Sequence, residues 1–165
     1  MIKLQKITPC LWFNGQAEAA VQFYTEIFPA SKTGLVLYYG EQDSQVHGQR
    51  PGSVLAISFE LDGQPFTALN AGPQFQFTPA VSFQINCETQ DEVDHYWDRL
   101  SEGGDPAAQQ CSWLKDRYGL SWQVVPTIML EMLGSTDQAA AQRAMHAMMG
   151  MKKLDIQQLK RAYAG

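Results

Sequence analysis

The chain has 165 residues, a formal net charge of −5, and a composition 45% hydrophobic and 18% charged. That length is enough for one self-sufficient core, and that composition excludes extensive disorder. No Lys/Arg-dense run marks a nucleic-acid or anionic-membrane partner, and no apolar run reaches the roughly 20 residues of a membrane span.

The opening "MIKLQKITPCLWF" starts with charge but lacks a long apolar stretch and a small-residue cleavage site, so it reads as a mature cytoplasmic start. Residues 7–13, "ITPCLWF", read as a strand, with Asn14 as the cap of the helix that follows. Ala20, Phe23, Tyr24 and Ile27 share one face of that helix, and Pro29 ends it. Residues 33–39 form a second strand, and the polar, breaker-rich 40–53 a long loop. Strands 54–61 and 64–70 flank Asp62-Gly63, a two-residue hairpin turn, and Pro65, with no N–H to donate, belongs at a strand start or edge.

The order then begins again. Residues 78–88 open with Thr-Pro, as the first strand does at Thr8-Pro9. "TQDE", 89–92, is a capping box in which Thr89 bonds the Glu92 N–H and Glu92 reaches back. Val93, Tyr96, Trp97 and Leu100 make the buried stripe of this helix, which Gly103-Gly104 stops. Residues 107–115 read as a strand, Asp116–Gly119 as a turn, and 120–126 as a last strand that alternates Leu120, Trp122 and Val124 with Ser121, Gln123 and Val125. Thr136-Asp137 caps a helix with Ala141, Ala144, Met145 and Met148 on one face, and Asp155 caps another with Ile156, Leu159 and Tyr163. Such stripes pack on their own domain or on a second copy.

These patterns define an α+β fold: two βαβββ modules, 1–75 and 76–130, sharing a cupped mixed sheet, with a helical tail over 134–165, all in a single domain. A ferredoxin-like sandwich would need two helices and fewer hairpin strands per unit. The three cysteines, Cys10, Cys87 and Cys111, form no disulfide framework or zinc pattern and read as small core residues.

The stretches "ITPCLWFNGQAEAAVQFYTEIFP", "FELDGQPFTALNAGPQFQFTPAVSFQINCETQDEVDHYWDRLSEGG", "CSWLKDRYGLSWQVVP" and "AQRAMHAMMGMKKLDIQQLKRAYAG" resemble the PhnB-like branch of the vicinal oxygen chelate superfamily, the glyoxalase/bleomycin-resistance/dihydroxybiphenyl dioxygenase fold. Families of this branch carry the name 3-demethylubiquinone 3-methyltransferase-like. The resemblance implies a concave cavity, a homodimer and, in metal-dependent members, four cavity ligands drawn from the first and last strands of each half. Those positions fall here near Pro9, Thr67, Ala80 and Gln123. Only Gln123 is a customary donor, and one neutral amide does not hold a cation.

The leading expectation is therefore a protein that binds a small molecule with no metal and no cofactor. By strand parity the cavity wall takes Leu11, Phe13, Thr67, Ser82, Gln84 and Gln123, with Trp113 added. Gln123 has an alternative reading as a satisfied polar residue within the sheet. The competing class is an enzyme on a small oxygen-rich or aromatic substrate, metal-assisted or a methyltransferase. A third is a scaffold whose cavity its own aromatics fill. The S-adenosylmethionine fold is a doubly wound sheet with a glycine-rich turn, and no G-x-G-x-x-G occurs. His47, His95 and His146 have no identified acid or nucleophile partner, so no catalytic residue is assigned. Glu60 alternates with an apolar stripe and can face the cavity as a lone carboxylate.

Overall fold

The computed structural model describes residues 5–42 and 44–165. Residues 1–4 of the opening stretch, and Asp43 of the long loop, lie outside the described residues. The chain divides into two compact units, Met1–Gln76 and Phe77–Gly165.

The first unit is a four-stranded sheet with a helix on one face. Its elements are β1 (Cys10–Phe13), α1 (Ala17–Ile27), β2 (Lys32–Tyr38), a single-turn α2 (Ser44–His47), β3 (Val54–Leu61) and β4 (Gln64–Asn70). The strand order is β1-β4-β3-β2, with β1 parallel to β4 and the other pairs antiparallel. The β3–β4 hairpin turns on Asp62 and Gly63, both at positive φ (47° and 77°), which is the primed turn that a right-handed ribbon favours. Ala17, Ala20, Val21, Tyr24 and Ile27 bury the inner face of α1, and Tyr24 stacks on Phe59 of β3. Phe23, expected on that stripe, is half-buried.

The expected cap, Asn14, does not cap α1. The helix starts after Gln16, whose side chain makes no capping bond. The free Ala17 N–H is met instead by Asn70 Oδ1 at 2.9 Å, from the end of β4. Asn70 is buried, and its Nδ2 donates to Glu18 Oε2 and to the Val54 carbonyl, both at 3.1 Å. Its own carbonyl accepts the Tyr39 hydroxyl. One side chain thus ties the start of α1 to the ends of β3 and β4.

The second unit contains β5 (Ser82–Cys87), α3 (Gln90–Ser101), a 3-10 turn (Pro106–Ala108), β6 (Trp113–Lys115), β7 (Ser121–Pro126), α4 (Thr127–Leu133), α5 (Gln138–Met149) and α6 (Ile156–Ala164). Its sheet has three strands, ordered β5-β7-β6, with β5 parallel and β6 antiparallel to β7. It therefore has one strand fewer than the βαβββ pattern. The expected strand 107–115 shrinks to β6 for two reasons. Pro106 begins a 3-10 turn, and Cys111 and Ser112 both take positive φ (47° and 75°), which breaks the ladder before Trp113.

Thr89 caps α3 by accepting from the Glu92 N–H at 3.2 Å, and Glu92 reaches back to the Glu88 N–H at 2.6 Å. Gly104 is required by space: a Cβ there would meet the Lys115 carbonyl oxygen at 2.0 Å. The Asp116 turn is organised by a buried carboxylate. Its Oδ1 accepts from the Tyr118 and Leu120 N–H groups (2.8 and 3.1 Å), and Oδ2 accepts Trp122 Nε1–H at 2.8 Å. Asp137 and Asp155 cap α5 and α6.

The tail helices build their own apolar cluster, in which Val125, Met129, Met132, Ala144, Leu154 and Leu159 are buried. Met145 is exposed, and Ala140 takes the place expected for it on the buried face of α5. The helix α4 went unexpected because it follows Pro126 with no intervening loop.

Of the cysteines, only Cys87 is buried, Cys10 being exposed and Cys111 half-buried. Burial, followed by the nearby Glu92 charge, pushes the Cys87 thiol up to about 12, so it stays protonated at neutral pH.

Two outcomes follow from these contacts. Asn70→Ala removes the α1 cap and strands the buried Ala17 N–H and Val54 C=O, so urea denaturation should show a loss of about 2–3 kcal/mol; a loss below about 0.5 kcal/mol would contradict the linking role. In the second unit, Lys153 and then Gln90 hold the Asp94 carboxyl below its ordinary value of 3.8, and the Gln158 N–H does the same for Asp155. Depressed carboxyls stabilise above their unfolded pKa and lose that contribution as pH falls through the folded value. Stability measured between about pH 6 and 2 should therefore drop below about pH 4, and Asp94→Asn should shrink that drop.

Candidate functional site

In both sheets the helix covers one face, and the other face carries most of the polar side chains together with Trp12 and Leu69 in the first unit and Trp113 in the second. Register fixes which is which. In the first unit Cys10, Thr67 and Ser58 pair across β1, β4 and β3, as do Trp12, Leu69 and Ala56, and Glu60 with Pro65. These point away from α1. Leu11 and Phe13 have the opposite parity and are only 5% and 3% exposed in the core under α1. The expectation that they line the cavity fails for that reason: "ITPCLWF" is apolar at both parities, and only the pairing with β4 decides which face is covered.

A groove of about 390 Å³ lies on this open face, lined by Thr8, Lys32, Ser58, Glu60 and Thr67, among others. Lys32 Nζ and Glu60 Oε2 are 3.1 Å apart and stand opposite each other in the β2–β3 register. Ser58 Oγ accepts the Leu35 N–H at 2.7 Å and donates to the Leu35 carbonyl at 3.3 Å, which pins the irregular stretch of β2. Gly34 permits this approach, since a Cβ there would meet Ser58 Oγ at 2.6 Å. Glu60 thus sits on the open face with Lys32 as its partner. Thr8, Lys32 and Ser58 were not singled out from the sequence. The signal for Ser58 was present, as a polar residue at the same parity as Glu60 within "VLAISFEL".

In the second unit Ser82, Gln84 and Asn86 of β5, Gln123 of β7, and Trp113 of β6 share the face away from α3, because Gln84 and Trp113 both pair with Gln123. Gln123 is half-buried, and its Nε2 donates to Ser82 Oγ at 2.9 Å. It is a partnered amide on an open sheet face. Gln84 is exposed and donates to Asn86 Oδ1 at 2.8 Å. The helix-side residues of this sheet, Leu114, Trp122, Val124 and Cys87, are buried.

The donor set does not suit a divalent cation. Pro9 and Ala80 have no donor side chain, and Thr67 and Gln123 offer only a neutral hydroxyl and a neutral amide oxygen, too few donors and no charge to hold one. Among the described residues no three His, Cys, Asp or Glu side chains gather as a metal site. His47 stacks on Tyr39 (ring centroids 4.6 Å) and its Nδ1 accepts the Gln49 N–H at 3.0 Å. His95 contacts the Tyr96 ring edge-on, and His146 is exposed on α5. None of the three lines the groove of the first unit or takes part in the pairing that defines the second face.

The family model described as 3-demethylubiquinone-9 3-methyltransferase matches residues 5–125. Comparison with curated proteins finds no match. Among solved structures, the PhnB protein from Bacillus cereus, whose name carries the same methyltransferase description, is 34% identical, with a TM-score of 0.65 over 74% of this chain and 100% of that one. A protein from Pseudomonas aeruginosa is 22% identical (TM-score 0.56, covering 75% of this chain and 98% of that one). The fosfomycin resistance protein FosX from Listeria monocytogenes is 14% identical (TM-score 0.50, covering 82% and 100%). The last two likenesses concern the fold alone. The family match ends at residue 125, just before α4, so the tail helices lie outside the matched residues. Over residues 5–125 the chain belongs to the 3-demethylubiquinone-9 3-methyltransferase family, whose model it matches and whose name the PhnB protein carries.

Proposed function

We propose that the protein binds a small organic molecule against the open faces of its sheets, without the divalent metal of the superfamily's metal-dependent members. The observation that carries this reading is the groove of about 390 Å³ in the first unit. Its size suits a small ligand, and its lining mixes hydroxyls with one cation and one anion on an apolar floor. Thr67 is the expected contact residue that lines this groove, and Ser82, Gln84, Trp113 and Gln123 are proposed as contacts on the open face of the second unit by itself; Leu11 and Phe13, buried under α1, are not among them. The metal positions supply too few electron-pair donors for a cation. Methyl transfer, the activity in the family's description, gains nothing from the residues: neither sheet is doubly wound and parallel, and no glycine-rich turn follows a first strand.

A homodimer belongs to the same reading. It is supported by β2, an edge strand on which Leu35, Leu37 and Tyr38 are 65%, 46% and 61% exposed, because an apolar edge is a template for a second chain. Cytoplasmic residence is proposed on the three free thiols, which suit a reducing compartment. None of the described helices is long and apolar enough to cross a membrane.

Native mass spectrometry of cell-purified protein, paired with elemental analysis, tests the binding reading. The expected result is a retained organic adduct, no stoichiometric divalent metal, and loss of the adduct in the Lys32→Gln/Thr67→Val double variant. One metal per chain overturns it. Sedimentation should give twice the chain mass at micromolar concentration and a single chain mass for Leu35→Lys; a monomeric parent protein removes the dimer.

A further inference from the structure

We propose that residues 150–155, the extended connector between α5 and α6, act as a latch that positions Trp113 and the β6–β7 end of the open face, with Gln90 and Lys153 as its positioning residues. The inference rests on the reading of that face as a binding surface. The connector lies beyond residue 125, where the family match ends.

Three sets of bonds hold it. The Met151 and Lys152 carbonyls accept the N–H groups of Cys111 and Ser112 at 2.9 and 3.0 Å. Gln90, in the first turn of α3, treats the connector as a neighbouring strand would: its Nε2 donates to the Leu154 carbonyl at 3.1 Å and its Oε1 accepts the Ile156 N–H at 2.9 Å. Lys153 Nζ reaches Asp94 Oδ1 at 2.9 Å and Asp98 Oδ1 at 3.2 Å, one turn apart on α3. Between these polar contacts Leu154 is fully buried.

What the connector grips is the conformationally costly part of the unit. Cys111 and Ser112 are consecutive non-glycine residues at positive φ, an arrangement that persists only where its surroundings hold it. Both of their N–H groups are used by the connector, and Gln110 Nε2 adds a bond to the Met149 carbonyl at 3.0 Å. The next links run into the sheet. The Ser112 carbonyl accepts the Val124 N–H at 2.9 Å, and Gln110 and Trp113 exchange backbone bonds of 2.8 and 3.1 Å. Trp113 in turn stands opposite Gln123. A short path of hydrogen bonds therefore leads from the tail, through two left-handed residues, to two side chains of the open face. The element the connector holds is the pair 111–112, whose left-handed conformation is costly for non-glycine residues without those bonds.

The test is amide exchange resolved by residue, together with fluorine NMR of fluorotryptophan-labelled protein, on the full chain and on Gln90→Ala, Lys153→Ala and the double variant. The Trp113 resonance is assigned through Trp113→Phe. The expected result is a fall of about tenfold or more in protection at Cys111 and Ser112, a smaller fall at Val124, and a moved or broadened Trp113 resonance. Trp12, in the first unit, and the β5 amides should stay as they were. Unchanged protection at Cys111 and Ser112 overturns the latch. So does an unmoved Trp113 resonance, or an equal loss of protection across the whole unit, which would mean general destabilisation. The adduct measurement above is independent of this one: its failure removes the binding reading, whereas a stationary Trp113 removes the latch whatever the protein carries.

Discussion

Both units are organised by one constraint: α1 in the first and α3 in the second cover one face of each sheet, while on the other face of the second sheet the tail cluster takes up Val125 at the end of β7. A strand sends alternate side chains to opposite faces, so most of the bulky residues fall on the covered side, with Trp12, Leu69 and Trp113 on the other. Phe59, Phe66, Ala68 and Ile57 do so in the first unit, and Trp122, Val124 and Leu114 in the second. The uncovered side is left with Thr67, Ser58 and Glu60 in one sheet and Ser82, Gln84 and Gln123 in the other. The candidate site is what remains once the core has taken its share. It needs no separate device beyond registers that keep the two faces from exchanging.

Those registers are pinned by buried polar groups at strand ends. Asn70 joins α1 to β3 and β4 through bonds spanning 53, 52 and 16 residues of sequence. Asp116 gathers two turn N–H groups and an indole N–H in front of β7. Each is costly to bury unless every bond is made. Each therefore penalises any one-residue slip of its strand, which would send the polar face into the core and the apolar face into water.

Much of this was legible in the sequence where a local rule sufficed. The Asp62-Gly63 turn, the Thr89 capping box, the Asp137 and Asp155 caps and the left-handed Gly103 that follows α3 all depend on a few neighbouring residues, and all appear where spacing places them. Three failures share a different cause. Asn70 caps α1 from across the unit, so the nearer Asn14 was the only visible candidate. Leu11 and Phe13 were put on the wrong face because an all-apolar strand has no parity of its own. Residues 107–112 were read as strand because the contact that bends them lies forty residues downstream, in a segment outside the family match. On the site itself, register puts Thr67, Glu60, Ser82, Gln84 and Gln123 on uncovered faces, where their contact with a ligand is a proposal; alternation is silent on Lys32, which reaches Glu60 from a neighbouring strand. Pairing partners are a tertiary property, and no single strand carries them.

The central claim is that the uncovered faces hold an organic molecule and no divalent cation. A crystal structure of protein purified from its own cells, with no ligand added, tests it most directly. The account predicts continuous non-protein density within hydrogen-bond reach of Thr67 and Lys32 or of Gln123 and Ser82, with no atom coordinated at metal distance. A divalent ion ligated by side chains beside Pro9, Thr67, Ala80 or Gln123, or open faces filled by the chain's own aromatic rings, would contradict it.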